Sequence, residues 1–357
     1  MNKRNQIIDA GKGIAMFLTV YGHSIQNGSG ADYLTNGTFF DNLVFRLIYS
    51  FHMPLFIALS GYLFAYSIKK YSFIENLKKK TTTIAIPAAL WGLLTPLVMW
   101  IIEIFLYGTS GKAVDFSMLP ANVVFAATTS VWFLWSVFWC SLIVLLINHY
   151  LNDSIFAYIT VLTFLIIIPD YTFQTHKFMY FYFVIAYFFN KKDMASKIAS
   201  LRLKARWSIN IVLMIIYRIM FHYFDREDYI YTSGISIWKV ERWGLTIKRQ
   251  LLVDGFRYLL GLIGVATIML LIYNIYTSFN KVKDLKLWKM FCSIGEHSLE
   301  IYLINGLLLD KVLAMLGSNT VNYFKFFIAT IIVLYLSMVI GKILLSCKTI
   351  RKILFGK

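Results

Sequence analysis

The sequence contains few charged residues for its length. Asp, Glu, Lys and Arg make up only 15% of the 357 residues, whereas a soluble domain carries about 25%. Hydrophobic residues account for 59% and are spread along the whole chain, and aromatic residues for 17%. Trp and Tyr gather at both surfaces of a membrane. This composition excludes an ordinary soluble domain and indicates that lipid covers most of the surface.

Acidic residues are scarcer than basic ones. The chain has 18 Asp and Glu against 35 Lys and Arg, a net charge of +17. The basic residues fall in short clusters between apolar runs, and no RNA- or DNA-binding motif is present. Such clusters are typical of the cytoplasmic side of membrane proteins, where they face anionic lipid. We therefore expect membrane lipids as partners and no nucleic acid.

Cysteine is also rare. Cys140, Cys292 and Cys347 are far apart in the chain, which excludes a disulfide framework and the spacing of a zinc site. We expect no metal. The first apolar run, 14–25, lacks a small-x-small cleavage site and is interpreted as a retained helix. With no repeat, low-complexity segment or linker, residues 1–357 are predicted to form a single transmembrane domain.

Long apolar runs are what the sequence has in abundance. A lipid bilayer cannot satisfy the open edge of a sheet, and nothing alternates with the period of a membrane barrel. The sequence therefore predicts an all-α integral membrane protein, a single bundle of about ten transmembrane helices of about 20 residues each. The predicted spans are 7–27, 48–68, 82–106, 131–149, 154–169, 176–190, 207–224, 251–279, 293–316 and 323–346.

The distribution of basic residues predicts the orientation of the bundle. With the N-terminus inside, the inner segments hold 22 Lys and Arg and the outer loops hold 8. Basic residues concentrate on the cytoplasmic side of membrane proteins. Both termini and the loop 69–80 are therefore expected in the cytoplasm, and 107–130 is expected outside.

Polar residues within the first predicted helix are candidates for function, because such residues are expensive inside a membrane. They are Asp9, Lys12, His23 and Ser24. Eleven residues return to nearly the same helix face, so Lys12 and His23 share one stripe about 16 Å long. An imidazole there suits a general base. Alternatively, His23 bonds a neighbouring helix and Lys12 anchors the inner end of its own helix.

The second predicted helix carries a further set of polar residues. His52 enters it from the outer side, where a packing role and a site role are equally open, and Pro54 is tolerated in a first turn. Ser60 and Gly61, followed by Tyr62, indicate a close contact with another helix.

Four segments, taken in order, resemble the acyltransferase-3 family of membrane acyltransferases, in particular its sugar O-acetyltransferases related to fucose 4-O-acetylase. They read DAGKGIAMFLTVYGH at 9–23, FHMPLFIALSGYLF at 51–64, VWFLWSVF at 131–138 and IGEHSLEIYLIN at 294–305. The family carries a basic residue, ten intervening residues and a histidine on its first helix, which Lys12 and His23 match. Many members have Arg at the first position.

The chain departs from the family pattern in two places. Asn305 stands where many members end the fourth segment with His, so no proton chemistry is expected there. Lys78, Lys79 and Lys80 precede Pro87 where members often carry paired Arg, which retains positive charge without the bidentate guanidinium.

The resemblance implies acetyl-CoA as the acyl donor on the inner side and a sugar hydroxyl as acceptor near the outer side. The acceptor would belong to a surface polysaccharide or its lipid-linked precursor, in a bacterial inner membrane. Coenzyme A carries several phosphate charges, so the inner basic residues are predicted donor contacts. They are Lys12, Lys69, Lys70, Lys78, Lys79 and Lys80. Without the resemblance, these lysines would be interpreted as topology determinants.

For the mechanism, the simplest hypothesis is that His23 deprotonates the acceptor hydroxyl as it attacks the thioester. An acetyl-histidine intermediate is the variant. Asp9 is expected to pair with Lys12 or another helix, because it lies too far along the helix to touch His23. Packing or interfacial anchoring is the alternative for the remaining candidate acceptor residues, which are Tyr21, Ser24, His52, Ser60, Tyr62, Trp132 and Trp135.

Two other classes of function remain open. A carrier of a polysaccharide precursor would also have ten helices with buried polar residues, but it should show repeated halves with matching broken helices, and none is found. A scaffold would explain neither the stripe shared by Lys12 and His23 nor the segment at Ser60–Tyr62. The acceptor sugar and the acyl chain length are not specified by the sequence.

Overall fold

The computed structural model describes residues 5–30, 32, 35–107, 131–169, 174–238, 246–317 and 321–357. Within these ranges the chain is helical and contains no strand. The α-helices are α1 Gln6–Gly28, α2 Leu43–Lys70, α3 Phe73–Lys80, α4 Ile86–Tyr107, α5 Trp132–Leu151, α6 Ile155–Ile167, α7 Gln174–Lys191, α8 Met194–Ala199, α9 Leu203–His222, α10 Ile230–Ser233, α11 Ile247–Ser278, α12 Lys286–Glu296, α13 Ser298–Met315, α14 Tyr323–Ser346 and α15 Lys348–Phe355.

Helices occur at every one of the ten predicted apolar stretches, which confirms the all-helical fold. Five of the described helices are long and apolar enough to cross a membrane. They are Leu43–Lys70, Phe73–Val98, Trp132–Leu151, Ile247–Ser278 and Tyr323–Ser346. Helix α3 continues into α4 through a π-helix, Thr81–Ala85. The predicted outer loop 107–130 lies, apart from Tyr107, outside the described residues.

The predicted span 293–316 differs in the structure, where it is interrupted at His297. Helix α12 ends at Glu296, and α13 begins at Ser298. Two close approaches between α12 and α1 explain the break. A Cβ on Gly13 would lie 1.9 Å from Phe291 O, and one on Gly295 would lie 1.8 Å from Asp9 O. Helix α12 therefore packs closely along the beginning of α1.

Helix α1 lies at the centre of the bundle. It contacts α2, α11, α12, α13 and α14, and Ala15, Met16 and Val20 in its middle are almost completely buried. The Asn5 side chain accepts hydrogen bonds from the amides of Ile7 and Ile8, which caps the helix start. This central position brings side chains from several helices to the two ends of α1.

The C-terminal helix α15 lies at the same end of the bundle as the π-helix. Trp91 Nε1 donates to Leu354 O at 2.9 Å, and Phe355 is fully buried. Gly356 has φ +61°, and a Cβ there would lie 2.3 Å from Thr83 Cα. The close approach and the left-handed backbone both favour glycine. Gly356 therefore lies against the π-helix that follows Lys80.

Candidate active site

His23 lies in the second half of α1 and is half-buried. The Tyr49 hydroxyl, from the start of α2, lies 3.4 Å from His23 Nδ1. The same hydroxyl donates to Gln26 Oε1 at 3.1 Å. An amide oxygen can only accept, so the single phenol proton is used on Gln26. With the phenol proton on Gln26, the Tyr49 oxygen can accept from His23 Nδ1–H, and in that tautomer Nε2 carries the basic lone pair.

His52 lies one turn further along α2 and is almost completely buried. Its Nδ1 donates to Ile48 O at 2.8 Å. The Tyr49 and His52 rings meet edge to face, with centroids 4.7 Å apart. Tyr49 thus lies between the two histidines, and His52 is also close enough to His23 for their charges to interact.

A small cavity adjoins this aromatic group. Its volume is about 30 Å³, and its lining includes Tyr49, His52, Trp132, Asp228 and Arg257. Space of this size holds about one water molecule. Burial raises the pKa of the Asp228 carboxyl to about 6, although the amide of Asp225 and the charge of Arg257 favour the ionised form. The predicted residues His52 and Trp132 therefore line one small cavity, and Tyr49, which also lines it, contacts His23.

The predicted lysines lie at the opposite end of α1. Lys12 is half-buried and close enough to Lys80 for the two charges to repel. Lys80 Nζ lies 4.6 Å from the centre of the Phe64 ring. Lys70 and Lys79 lie over the Tyr71 ring, at 5.3 Å and 4.2 Å. Lys69 and Lys78 are exposed nearby in the chain. The structure thus brings Lys12 close to Lys80, and the other predicted lysines lie near Lys80 in the chain.

The π-helix follows directly after these lysines. The hydroxyls of Thr82 and Thr83 donate to Lys78 O at 2.9 Å and Lys79 O at 2.7 Å. These bonds satisfy carbonyls that the wider turn would otherwise leave weakly paired. π-Helical turns occur frequently at functional sites. The three threonines that replace a regular helical turn therefore hold the lysine-bearing end of α3 in a defined position.

Three other predicted residues of α1 contact α12 or α14 and not the group around Tyr49. Asp9 is buried where α1 meets α12. The Tyr21 hydroxyl donates to Tyr323 O at 3.4 Å. Ser24 is fully buried and lies 3.1 Å from the Thr330 hydroxyl on α14. Tyr21 and Ser24 therefore join α1 to α14.

The remaining predicted residues are also distant from the histidines. Ser60 and Tyr62 follow Tyr49 by eleven and thirteen residues, which is about 16 and 20 Å along α2. Ser60 donates to Phe56 O at 3.1 Å. A Cβ on Gly61 would lie 2.2 Å from Phe183 O, which confirms the predicted close helix contact. Trp135 packs with Trp139 and the apolar cluster around Trp91, away from Trp132.

Three residues of the site were missed from the sequence. Tyr49 and Gln26 are described above, and the third is Asp310 of α13. Its carboxylate accepts from Asn27 Nδ2 at 3.0 Å and is close enough to act electrostatically on His23. An acidic residue in the apolar segment LLLDKV was a signal that could have identified Asp310, because charges in such segments are rare.

Positively charged lysines lie near the start of α1, and the imidazole of His23 lies further along the same helix. Lys12 and His23 lie on one face of an uninterrupted α-helix, about 16 Å apart along its axis. Phosphates suit the lysine end. The imidazole of His23, in contact with Tyr49 at the edge of the small cavity, can accept a proton. Such a site can hold an anionic carrier at one end and activate a hydroxyl near the other.

Comparisons with known proteins agree with this arrangement. Residues 5–345 match the family described as "Acyltransferase domain", which is the acyltransferase-3 family. The chain is 32% identical over 136 residues to Nodulation protein NolL of Sinorhizobium fredii, covering 38% of this chain and 34% of that protein. It is 30% identical over 142 residues to Nodulation protein NolL of Mesorhizobium japonicum, with the same two shares.

The chain thus spans about a third of the length of these curated relatives. No solved structure matches it. The family match, by contrast, covers all the helices from α1 to α14. Together with helices that are apolar enough to cross a membrane, it supports a membrane acyltransferase. The chain belongs to the acyltransferase-3 family.

Proposed function

We propose that the protein transfers an acetyl group from cytoplasmic acetyl-CoA to a sugar hydroxyl of a surface polysaccharide or its lipid-linked precursor. The observation that carries this proposal is the shared face of α1, with Lys12 beside Lys80 at one end and His23 in contact with Tyr49, at the small cavity, further along. About ten helices would cross a bacterial inner membrane, with both termini in the cytoplasm.

The donor would bind at the lysine end. Lys12, Lys70, Lys79 and Lys80 would pair with the phosphates of coenzyme A, whose flexible arm would extend into the bundle. Lysines act on phosphates as point charges and do not require the planar geometry of arginine. The 16 Å between Lys12 and His23, about eleven helical residues, suits an extended arm that ends in a thioester.

The acceptor hydroxyl would be activated by His23. Nε2 would take the hydroxyl proton as the oxygen attacks the thioester carbonyl carbon. The tetrahedral adduct would then collapse, the C–S bond would break, and the imidazolium would return its proton to the leaving thiolate. The products are the acetyl ester and free coenzyme A, so atoms and charges balance. Tyr49 would hold the ring in the tautomer that has Nε2 free.

The small cavity lined by Tyr49 and Trp132 would supply the contacts to the acceptor sugar. Trp132 offers an aromatic face, and Asp228 and Arg257 offer polar groups. Carbohydrate hydroxyls require both kinds of contact. Because the described cavity holds only about one water, the cavity would widen when a sugar enters.

The test is mass spectrometry of surface glycans from cells with and without the gene, and with the gene carrying His23→Ala. The expected result is an acetyl-sized mass difference that depends on the wild-type gene. Identical glycans in all three strains, with the wild-type protein present in the membrane, would contradict the proposal.

A further inference from the structure

A second, larger cavity lies apart from the candidate active site. Its volume is about 350 Å³, within the range of ligand pockets. It is formed by α1, α2, α7, α8, α9 and α11, and its lining includes Ile8, Leu59, Ile209, Leu213, Met269 and Tyr273. The lining contains none of the predicted donor lysines, neither histidine and no charged residue. The cavity is therefore suited to a hydrocarbon chain.

The cavity lies at the lysine end of the bundle. Asn5 at the start of α1, Ala195 and Ile198 in α8 and Tyr273 near the end of α11 all line it. The adjoining segment 190–206 contains six Lys and Arg, and all of them except Arg206 are exposed. A basic surface at one end of a membrane-spanning bundle attracts anionic lipid headgroups.

A buried arginine lies beside one wall of the cavity. Arg206, in the first turn of α9, is 7% exposed, and its guanidinium carbon lies 4.9 Å from the centre of the Tyr273 ring. Its Nε has no hydrogen-bond partner. Among the residues that the structure describes, no carboxylate lies within ion-pair distance of it. Burying an unpaired charge is strongly unfavourable, so the site calls for an anion.

We propose that this cavity holds an acyl chain of an anionic phospholipid whose phosphate pairs with Arg206. The apolar lining surrounds the acyl chain, and the buried guanidinium donates hydrogen bonds to the phosphate. The exposed lysines and arginine of 190–206 attract anionic headgroups to this part of the surface. The membrane itself supplies this ligand at high concentration. The site is separate from the lysines and His23 of the proposed transfer reaction.

The experiment measures lipid retention by native mass spectrometry. Purified wild-type protein is incubated with equimolar palmitoyl-oleoyl phosphatidylglycerol and phosphatidylcholine, and we expect it to retain one phosphatidylglycerol. Arg206→Gln should weaken retention at least about tenfold, because it removes a charge-assisted hydrogen bond. Arg206→Lys should keep most of it. Ala266→Phe places a ring in the cavity and should weaken retention with Arg206 intact.

Arg218→Gln is the matched control, because Arg218 is exposed on the same helix, twelve residues beyond Arg206, and does not line the cavity. It should retain phosphatidylglycerol like wild type. The proposal is overturned if Arg218→Gln and Arg206→Gln lose lipid equally, or if Ala266→Phe retains it fully. It is also overturned if undecaprenyl phosphate, added as a third lipid, is retained in place of phosphatidylglycerol.

Discussion

The Tyr49 hydroxyl lies 3.4 Å from His23 Nδ1 and donates its own proton to Gln26. The phenol oxygen can then accept from the imidazole, an arrangement that favours the tautomer of His23 with Nδ1 protonated. A histidine with Nδ1 protonated and held in place has Nε2 available as a base. Tyr49 on α2 thus favours Nε2 of His23 as the nitrogen that acts as a base.

The first prediction concerns His23 itself. His23→Ala should lower acetyl transfer by about 10²–10⁴-fold, because it removes the general base. Tyr49→Phe should lower it less, by about tenfold, because Nδ1–H loses its acceptor while the ring remains. The measurement is glycan acetylation normalised to the amount of membrane-inserted protein. His222→Ala, which removes an exposed histidine at the end of α9, is the control and should be as active as wild type.

The second prediction concerns the donor end. Lys12→Ala should raise the KM for acetyl-CoA more than that for the acceptor, since Lys12 lies with Lys80 at the basic end. Lys12→Arg keeps the charge and should retain much of the activity. Donor titrations of both variants test this. If Lys12→Ala leaves the KM for acetyl-CoA unchanged, Lys12 does not bind the donor and only anchors its helix.

Most of the fold could be predicted from hydropathy, because lipid requires long uninterrupted apolar helices. The break at His297 could not. It depends on contacts of Gly13 and Gly295 with the backbone of another helix, and residues so far apart in sequence give no local signal. Only the polar pair Glu296 and His297 within the predicted span pointed to an interruption there.

The candidate site was predicted in part. Spacing on a single helix is visible in a sequence, so Lys12 and His23 were identified together on one face. Contacts between helices are not visible in this way, so Tyr49 and Asp310 were missed. For the same reason Ser60 and Tyr62 were grouped with His52, although the helix carries them about 16 and 20 Å beyond Tyr49.

The third prediction tests the contact between α1 and α12. Gly13→Ala should destabilise the protein by about 1–3 kcal/mol, because the added methyl group overlaps Phe291 O. Gly306→Ala is the matched control, since a Cβ there meets nothing within 4 Å. It should be neutral or stabilising by up to about 1 kcal/mol. Thermal unfolding in detergent measures both, and equal melting temperatures for Gly13→Ala and wild type would contradict the close contact.

The fourth prediction concerns pH. Burial raises the pKa of Asp228 to about 6, above its unfolded value of about 3.9. The folded state therefore binds the proton more tightly, and wild-type stability falls as pH rises from about 4 through 6. The Asp228→Asn variant has no titrating carboxyl at this position and does not lose stability in this way. The free energy of unfolding of the variant minus that of wild type should therefore be about 2 kcal/mol higher at pH 7.5 than at pH 4. Melting curves at the two pH values measure the difference. A pH-independent difference would mean that the carboxyl titrates normally.

The last prediction is the topology on which transfer across the membrane depends. Inner segments hold 22 basic residues and outer ones 8, and α15 lies beside the π-helix that follows Lys80. Exposed Cys347 should therefore resist an impermeant thiol reagent in intact cells and react once the cells are opened.

Single cysteines placed in a Cys140→Ser, Cys292→Ser, Cys347→Ser background sharpen this test. Ser72→Cys should behave like Cys347, because both lie with the lysines, while Asn36→Cys, exposed between α1 and α2, should react in intact cells. Gly111 lies in another predicted outer segment but outside the described residues, so Asn36 is the better choice. Labelling of Ser72→Cys in intact cells would show that the lysine end of the bundle faces the outside of the cell. Cytoplasmic acetyl-CoA could then not reach it, and transfer from Lys12 towards His23 would have no donor.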